Sequence, residues 1–547
     1  MQTRSAPIAT FHALALAAAL MFAACGGSDG GAPIDATPAP VNDSFTLSLS
    51  VDKALVLQGD NATVTVQLQR KAGFDGAVTV ALTNLPAGVT AAPVTIAAGS
   101  TSATVTVAAA QVAPHSLPTA VQVSGSANGL VSNKTLTVTV RGLPGAVDTS
   151  FAEGKIVLPV GTSEDYANAA AVQPNDGKLV VAGSSNTTAG TQVSLVRYGR
   201  DGTLDTTFGN AGKVMTSVGG NNDQALAVAV QADGKIVIAG RSKQAAGDDF
   251  LLIRYNADGS LDAGFGNGGK VVTDFAGGTD VARAILIQND GKIVVGGDAT
   301  MATSGIDFAL ARYNVDGTLD ASFGGAGRVT TALKSGTGTD SVRALAIQPV
   351  LGEARILAVG DGGDFLAARY SPTGQLDAGF ANAGKLVGVF GSTIGGAYAV
   401  TVLPDGRAVL AGHDNHDFAL AQLTVAGTLD GTFGNGGKVV RAVTTNWDEA
   451  TAVVRQADGS LVVGGWAYSG NSSAGDFVAM RFTAAGVADN TFGQQGLVVT
   501  PMAAGTLGDM AHTLVLQADD RLPAVRAIQA GEANGANNDF AITRYWL

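Results

Sequence analysis

Hydrophobic and polar residues alternate with a period of two along much of residues 44–142. The runs that begin at Phe45, Ala62, Ala103 and Thr135 show this alternation most clearly. A strand with such a pattern buries one face and exposes the other. Because turns rich in Gly, Pro and Asp separate the runs, residues 44–142 are predicted to form a two-sheet β-sandwich.

A second pattern repeats from Asp148 to the end of the chain. Each copy contains the motif Asp-x-x-Phe and four short β-type runs, which in the second copy lie at residues 212–216, 225–231, 235–239 and 250–255. Four strands per copy at a fixed period are typical of β-propeller blades, so residues 148–547 are predicted to form a seven-bladed β-propeller with four-stranded blades. The copies start 53 to 59 residues apart, at Asp148, Asp205, Asp262, Asp320, Asp377, Asp430 and Asp489.

The position of the runs within each copy predicts how the ring closes. The Ala-rich run is expected to be the innermost strand, and the Gly-Lys-Val-Val run the outer strand of the preceding blade. The first such run, at residues 154–158, has no preceding blade in the sequence. We therefore expect it to pair with the last strand of the chain, at residues 540–545, which leaves no unpaired sheet edge.

Both regions resemble known bacterial families. Residues 44–142 resemble the Ig-like modules of bacterial surface proteins, notably in Gly-Phe-Asp-Gly from Gly73 and Leu-Pro-Ala-Gly-Val from Leu85. The resemblance implies an Ig-like β-sandwich that serves as a spacer, with adhesion as the alternative. The region lacks cysteine, which excludes an antibody-type disulfide.

The repeats resemble the delta-60 repeat family, whose units contain Asp-x-x-Phe-Gly, Gln-x-Asp-Gly-Lys-Ile-Val-Val and Ala-Arg-Tyr. The second and third copies match closely, whereas the fifth has Leu403 in place of the Gln and Gln422 in place of the Arg. The resemblance implies a repeat fold and assigns no catalytic residues. The Asp, Phe and Arg that recur in almost every copy are expected to be architectural.

The N-terminal residues predict secretion and lipid anchoring. Residues 1–24 read as a lipoprotein signal peptide, with a basic Arg4 and an apolar run at residues 11–21 that is too short to span a bilayer. The tetrapeptide Phe-Ala-Ala-Cys that ends at Cys25 resembles a bacterial lipobox, and Cys25 is the only cysteine. An ordinary signal peptide with an incidental cysteine is the alternative.

The residues after Cys25 suggest where the protein is delivered. Gly26 stands where lipoproteins retained in the inner membrane tend to carry Asp, so the resemblance implies the outer membrane or cell surface of a Gram-negative bacterium. Residues 25–43 are rich in Gly and Pro and are predicted to be a flexible tether. The predicted membrane partner is thus reached through a lipid anchor.

Composition narrows the function classes. The chain is 46% hydrophobic and 14% charged with 74 glycines, which fits an all-β protein with many turns. Its net charge of −12 argues against a nucleic-acid partner. Zinc-ligand spacing is absent from the sequence, so no cofactor is predicted.

Aspartates at equivalent positions of the copies, here called the register aspartates, suggest a metal site. Counting back eight residues from the Gln that ends each inner strand reaches an Asp in six copies and Gly395 in the fifth. Clustered carboxylates at a channel mouth could recruit a cation. The alternative, which we favour, is that each accepts hydrogen bonds from amides of its own loop. The six residues are Asp165, Asp223, Asp280, Asp340, Asp448 and Asp509.

The loops before the inner strand and the loops between the last two strands vary among the copies. Both types are expected to emerge on one face of the propeller, and that face is the predicted ligand-binding surface. It carries aromatic and polar side chains: Tyr166, Arg283, Arg343, Tyr398, His413, Trp447 and Trp466. The predicted function is that of a non-catalytic cell-surface binding or scaffold lipoprotein, with a protein or a polysaccharide as ligand. A propeller-type enzyme (lyase, glycosidase or quinone-dependent dehydrogenase) is the alternative, disfavoured because no convergent His is expected in the channel register. A purely structural envelope component is the third reading.

Overall fold

The computed structural model describes residues 44–71, 73–468, 475–503, 508–519, 524–535 and 537–547. The predicted signal peptide, Cys25 and the predicted tether lie outside these residues. The described part is all-β, with one 3-10 turn at Ala152–Gly154. Its strands form two regions that follow the division predicted from the sequence. No helix within the described ranges is long and apolar enough to cross a membrane.

The first region packs two sheets face to face. Alternation drives the packing: Val64, Val66 and Leu68 on one strand are buried, while Gln67 and Gln69 at alternate positions are exposed. The sheet orders are β1-β3-β7-β5 and β2-β9-β8-β4-β6. The strands are β1 (Phe45–Leu49), β2 (Lys53–Leu57), β3 (Asn61–Arg70), β4 (Val78–Thr83), β5 (Val89–Thr90), β6 (Val94–Ile96), β7 (Ser102–Ala109), β8 (Thr119–Ala127) and β9 (Leu130–Arg141).

The second region is built from four-stranded antiparallel units, numbered here by their order along the chain. Unit 1 contains β11 (Asp165–Val172), β12 (Leu179–Thr187), β13 (Gly190–Tyr198) and β14 (Lys213–Thr216). Unit 2 contains β15 (Asp223–Val230), β16 (Ile236–Lys243), β17 (Asp248–Tyr255) and β18 (Lys270–Thr273). Unit 3 contains β19 (Asp280–Ile287), β20 (Ile293–Met301), β21 (Gly305–Tyr313) and β22 (Arg328–Thr331).

Units 4 and 5 are joined into one sheet by a single residue pair, Asp361 with Gly396. Their strands are β23 (Ser341–Val350), β24 (Glu353–Asp361), β25 (Phe365–Tyr370) and β26 (Lys385–Val387), then β27 (Gly395–Val402), β28 (Ala408–Asp414), β29 (Asp417–Leu423) and β30 (Lys438–Arg441). Unit 6 is β31 (Asp448–Arg455), β32 (Leu461–Tyr468), β33 (Gly475–Phe482) and β34 (Leu497–Thr500).

Unit 7 combines both ends of the repeat region. It contains β35 (Met510–Asp519), β36 (Ala524–Asn534), β37 (Asn538–Trp546) and β10 (Lys155–Leu158), in the order β10-β37-β36-β35. Strand β10 pairs antiparallel with β37, with Lys155 opposite Thr543 and Leu158 opposite Phe540. The prediction that the first Gly-Lys-Val-Val run closes onto the last strand is confirmed.

The innermost strands surround a common axis. Strand β11 contacts β15, β15 contacts β19, and the series continues through β23, β27, β31 and β35 back to β11. The third residue of these strands is often small, as at Ala167 and Ala225, which are fully buried where neighbouring units crowd together. The ring of inner strands therefore encloses a central channel, and its two mouths carry different loops.

The recurring Asp, Phe and Arg, near the connection between the third and outer strands, hold neighbouring units together. In unit 2, Arg254 Nε donates to Asp262 Oδ2 at 2.7 Å, and its guanidinium lies 4.4 Å above the Phe265 ring. Lys235 Nζ binds the same carboxylate at 2.9 Å. The other end of Arg254 donates to the carbonyl of Val315 in the next unit, at 2.5 Å. These positions are structural, as the sequence pattern indicated.

Candidate functional site

A β-bulge in each inner strand turns one side chain towards the channel. In β11 the pairing with β12 shifts between Ala167 and Ala169, which leaves Asn168 without an opposite residue. Bulges re-aim side chains in this way. The same shift occurs in the other inner strands, and the bulged residues are all half-buried: Asn168, Leu226, Arg283, Arg343, Tyr398, Thr451 and His512.

A column of stacked side chains runs across units 4 to 6 at this mouth of the channel. The Arg343 guanidinium lies 5.1 Å from the centre of the Tyr398 ring, and Tyr398 stacks on His413 at 5.5 Å. Trp447 follows, 5.4 Å from His413 and stacked on His416 at 4.3 Å. We call these five residues the aromatic column. Since each ring braces the next, the column is held rigidly before any ligand arrives.

Carboxylates and a further histidine border the column. Glu449 Oε2 lies 3.8 Å from His413 Nδ1, and Asp361 Oδ2 accepts from Arg343 Nη2 at 3.2 Å. In unit 7, His512 Nε2 lies 2.6 Å from Glu532 Oε2. We call Asp361, Glu449, His512 and Glu532 the polar border.

The pKa values of His413 and His512 are shifted in opposite directions. Burial lowers the pKa of His413, so its ring is neutral at pH 7. Burial also opposes the charging of His512, but the neighbouring Glu532 and Glu449 outweigh it and raise the pKa of His512 above its usual value. His512 therefore holds its proton more readily than a solvent-exposed histidine does.

Glu449 is poised to change charge near neutral pH. Burial raises its pKa to about 7, and the nearby His512 and Arg343 only partly oppose the shift. Strongly perturbed carboxyl groups in a concave site are characteristic of functional positions. The indole of Trp447 lies near this carboxyl group, although its N–H does not make a hydrogen bond of normal geometry.

The column also holds buried polar atoms that lack hydrogen-bond partners among the described residues. They are Arg343 Nε, His413 Nδ1 and Trp447 Nε1. Leaving such a group unpaired costs about 1–3 kcal/mol, so native proteins seldom keep one without reason. Three of them in one column indicate a place where an external molecule supplies the missing partners.

The structure brings together four of the residues predicted from sequence, namely Arg343, Tyr398, His413 and Trp447. Arg283 lies in the neighbouring unit, where its Nε donates to Asp298 at 2.5 Å. The remaining two lie apart from the column. Trp466 is buried opposite Glu449 and packs on Tyr468, while no described contact connects Tyr166 of unit 1 to the column.

The sequence pattern placed His413 on the predicted binding face but did not predict the polar border. The expectation that no histidine converges on the channel was wrong, because His512 also lies there. His512 occupies the same bulge position as Arg343 and Tyr398, three residues after its register Asp. Counting that position in every copy would have found it. Glu532 carried no comparable signal, because it enters from a second strand whose pairing with β35 only the fold defines.

The six register aspartates do not form a ligand ring. Asp165 accepts from the amides of Val160 and Gly161 at 2.7 and 2.8 Å, and Asp448 accepts from Val443 at 2.7 Å. Asp223, Asp280, Asp340 and Asp509 are held by loop amides in the same way. At least one oxygen of each carboxylate accepts from the loop that precedes its inner strand, which supports loop capping and not a shared ring of metal ligands.

One of the register aspartates, Asp280, also belongs to a group of three neighbouring carboxylates. Asp249, Asp274 and Asp280 place carboxylate oxygens within 4.8 Å of one another, the sole such group of metal-type ligands in the described part of the chain. Burial, followed by the charges of Asp274 and Asp280, raises the pKa of Asp249 to about 6. Mutual repulsion within this group therefore favours partial protonation in mildly acidic solution.

Unit 5 shows how a missing cap is replaced. Gly395 stands at the register position, and Asp364 of the neighbouring strand pair accepts instead from the amides of Phe390 and Gly391, at 3.1 and 2.7 Å. We expect Asp364→Ala to lower the free energy of unfolding by about 1 kcal/mol, since two partly buried amides lose their acceptor. The equivalent Asp307→Ala, in a unit that keeps its own cap, is the control and should cost less in chemical denaturation. Equal losses would contradict this role of Asp364.

A separate cavity of about 580 Å³ lies where the sandwich meets units 1 and 7, lined among others by His115, Arg200 and Trp546. The rings of His115 and Trp546 are 4.5 Å apart there. Arg200 donates to the carbonyl of Asp176, and the neighbouring Arg544 binds Asp148. Its cations are already engaged by the protein, so the aromatic column is the better candidate for ligand binding.

Comparison with known proteins identifies the class of repeat fold to which the chain belongs. Four segments match the model of a family described as a domain of unknown function (DUF5122) β-propeller, at residues 175–208, 231–265, 288–323 and 456–492. Each segment ends at the Phe of an Asp-x-x-Phe motif. The chain is therefore an all-β repeat protein of the β-propeller type.

No curated protein matches this chain. Two solved structures show distant similarity. A DUF4784 family protein from Bacteroides caccae is 9% identical, with 83% of this chain and 98% of that chain covered and a TM-score of 0.26. Domains 4–9 of the surface layer protein SbsC are 12% identical, with 92% and 82% covered and a TM-score of 0.15. Scores this low do not establish a shared fold.

Proposed function

We propose that the protein is a lipid-anchored cell-surface binding module. Its repeats are of the delta-60 type and form a seven-bladed propeller, carried on an Ig-like spacer, and its ligand seats against the aromatic column. The observation that carries the proposal is the set of unpartnered polar atoms on Arg343, His413 and Trp447 in one preorganised column. Concave sites with aromatic walls and a few convergent polar groups are where proteins bind small ligands or parts of larger ones.

The anchoring part of the proposal rests on the sequence. Lipid attached to Cys25 would hold the protein at the outer membrane of a Gram-negative cell, and residues 26–43 would separate the folded part from the bilayer. The binding face would then point away from its own anchor at the end of two linked domains. A scaffold role remains compatible with this arrangement, since ligands held at the column would be immobilised on the cell.

The binding function is tested by ligand screening with matched arginine variants. Purified protein lacking residues 1–25 would be screened against oligosaccharides and envelope proteins, and hits would be titrated by calorimetry. We expect Arg343→Gln to weaken binding by about tenfold or more, because the guanidinium organises the column and offers an unpaired donor. Arg241→Gln is the control, since Arg241 lies in unit 2 and is paired with Gln224 and Asp248.

Two outcomes would contradict the binding proposal. One is a screen in which no ligand responds to the Arg343 change. The other is an equal loss for both arginine variants, which would point to a general effect on the propeller. Thermal melting of both variants separates loss of binding from loss of folding.

A propeller-type enzyme is the second candidate, and Glu449 is the observation that favours it. A carboxyl group whose pKa is about 7 can both donate and accept a proton near neutral pH. Product analysis of bound glycans after incubation tests this reading. Turnover that disappears in Glu449→Gln would make the site catalytic, whereas binding without turnover supports the binding module.

A further inference from the structure

Three basic groups at the channel mouth each face a carboxyl group of the protein, and burial opposes the charge of a further carboxyl group, Glu449. Arg343 faces Asp361 at 3.2 Å, Arg283 faces Asp298 at 2.5 Å, and His512 faces Glu532 at 2.6 Å. A strongly charged ligand would have to compete with these pairs and lose its own hydration. The site therefore favours a ligand without net charge.

The site presents hydrogen-bond donors and acceptors side by side. Arg343 Nε is a donor without a partner, and Trp447 Nε1 has only a contact with the Glu449 carboxyl group that lies outside ordinary hydrogen-bond geometry. Glu449 in turn offers carboxyl oxygens a few ångströms from His413. A hydroxyl group can donate and accept at once, so a row of hydroxyls satisfies such a surface better than an amide or an ion does. The ligand is then rich in hydroxyl groups.

The aromatic column adds an apolar component. Tyr398 and Trp447 are each half-buried, so part of each ring meets solvent at the channel mouth. Sugars combine hydroxyl edges with apolar C–H surfaces, and aromatic rings with a polar handle suit such mixed surfaces. Because the column is braced from Arg343 to His416, little side-chain order would be lost on binding.

We propose that the aromatic column and polar border bind an uncharged sugar residue of a polysaccharide, with the Trp447 N–H and the Arg343 Nε donating to its hydroxyl groups. This inference rests on the proposed binding function and adds the chemical class of the ligand. Uronic-acid or sulfated glycans and peptides are the competing classes, and the test below separates them.

The experiment uses the protein without residues 1–25 and an array of neutral, uronate-containing and sulfated oligosaccharides together with peptides. Hits are titrated at low and high NaCl concentrations. We expect neutral oligosaccharides to bind with affinities that hardly change with salt, because no net charge is neutralised. In Trp447→Phe, which keeps a stacking ring and removes the N–H, affinity should fall by about tenfold.

Arg241→Gln is the control here too, since Arg241 lies in unit 2 and is paired with Gln224 and Asp248. Glu449→Gln adds a charge readout: removing the carboxylate should clearly strengthen binding of an anionic ligand, whereas binding of a neutral sugar should not strengthen. Selective, salt-sensitive binding of uronate or sulfated glycans, or binding of peptides alone, would overturn the sugar class and leave the binding function standing. Absence of any ligand that responds to Arg343→Gln or Trp447→Phe would overturn both.

Discussion

Replacing Asp148 by asparagine should lower the free energy of unfolding of the propeller by about 3–5 kcal/mol. The carboxylate of Asp148 is fully buried at the point where the two ends of the repeat region meet. Arg526 Nε lies 3.0 Å from it and Arg544 Nη2 lies 2.8 Å from it. The variant would leave two buried guanidinium groups facing a neutral amide, in the one unit whose strands come from both ends of the repeats.

The folded state keeps Asp148 ionised. Burial alone would raise its pKa, but Arg544, Ser150 and Arg526 together lower it below the usual value. The contribution of this carboxylate to stability is therefore present at neutral pH and is lost as the pH falls through the folded-state pKa. The destabilisation caused by Asp148→Asn should correspondingly shrink in acidic solution.

Chemical denaturation followed by circular dichroism and tryptophan fluorescence checks this prediction. Asp489→Asn is the control, because Asp489 has the same place in its repeat but is 22% exposed and binds the single arginine Arg481. We expect a loss of about 1 kcal/mol there. Similar losses for the two variants would show that ring closure gives Asp148 no special role.

Arg312→Gln should cost about 2–3 kcal/mol, because it removes charged hydrogen bonds that join two units. Arg312 Nε donates to Asp320 at 2.7 Å, and its Nη1 donates to the carbonyl of Pro372 in the next unit. The guanidinium also covers Phe323 at 4.6 Å. A glutamine can keep the bond to the aspartate, as Gln422 does with Asp430 at 2.7 Å, but it cannot also reach the next unit.

The matched control is Arg328→Gln. Arg328 also donates to a carbonyl, that of Asp274, but this contact is exposed. We expect a change within about 0.5 kcal/mol, as is usual for surface substitutions. If the two arginine variants unfolded at the same denaturant concentration, the contact between units 3 and 4 would not contribute to stability.

Strand positions were largely predictable from sequence. In the second copy the inner strand was expected at residues 225–231 and is Asp223–Val230, and the third strand was expected at 250–255 and is Asp248–Tyr255. The differences lie at the polar ends. Both strands begin two residues earlier than expected, at Asp223 and Asp248, because backbone hydrogen bonding includes polar residues that precede the first apolar one.

The spacing of the register aspartates was recognised correctly, but it did not determine the role of their carboxylates. Their spacing was visible in six copies, but spacing does not say whether a carboxylate faces a channel or its own loop. The short loops that precede the inner strands bring backbone amides to these oxygens, and Asp364 does the same for the copy that lacks the residue. Because Asp364 comes from another strand, counting equivalent positions in each copy could not have identified it as the replacement acceptor.

The sequence by itself determined the division into two all-β regions, the repeat length and the strand that closes the repeats, because alternation and periodicity are local properties of the chain. Only the tertiary structure decided which polar side chains share the channel mouth. Arg343 and Trp447 are more than a hundred residues apart, and His512 comes from a third unit. Their meeting depends on inner strands that contact around one axis and on bulges that turn single residues inward, and neither follows from the order of residues within one repeat.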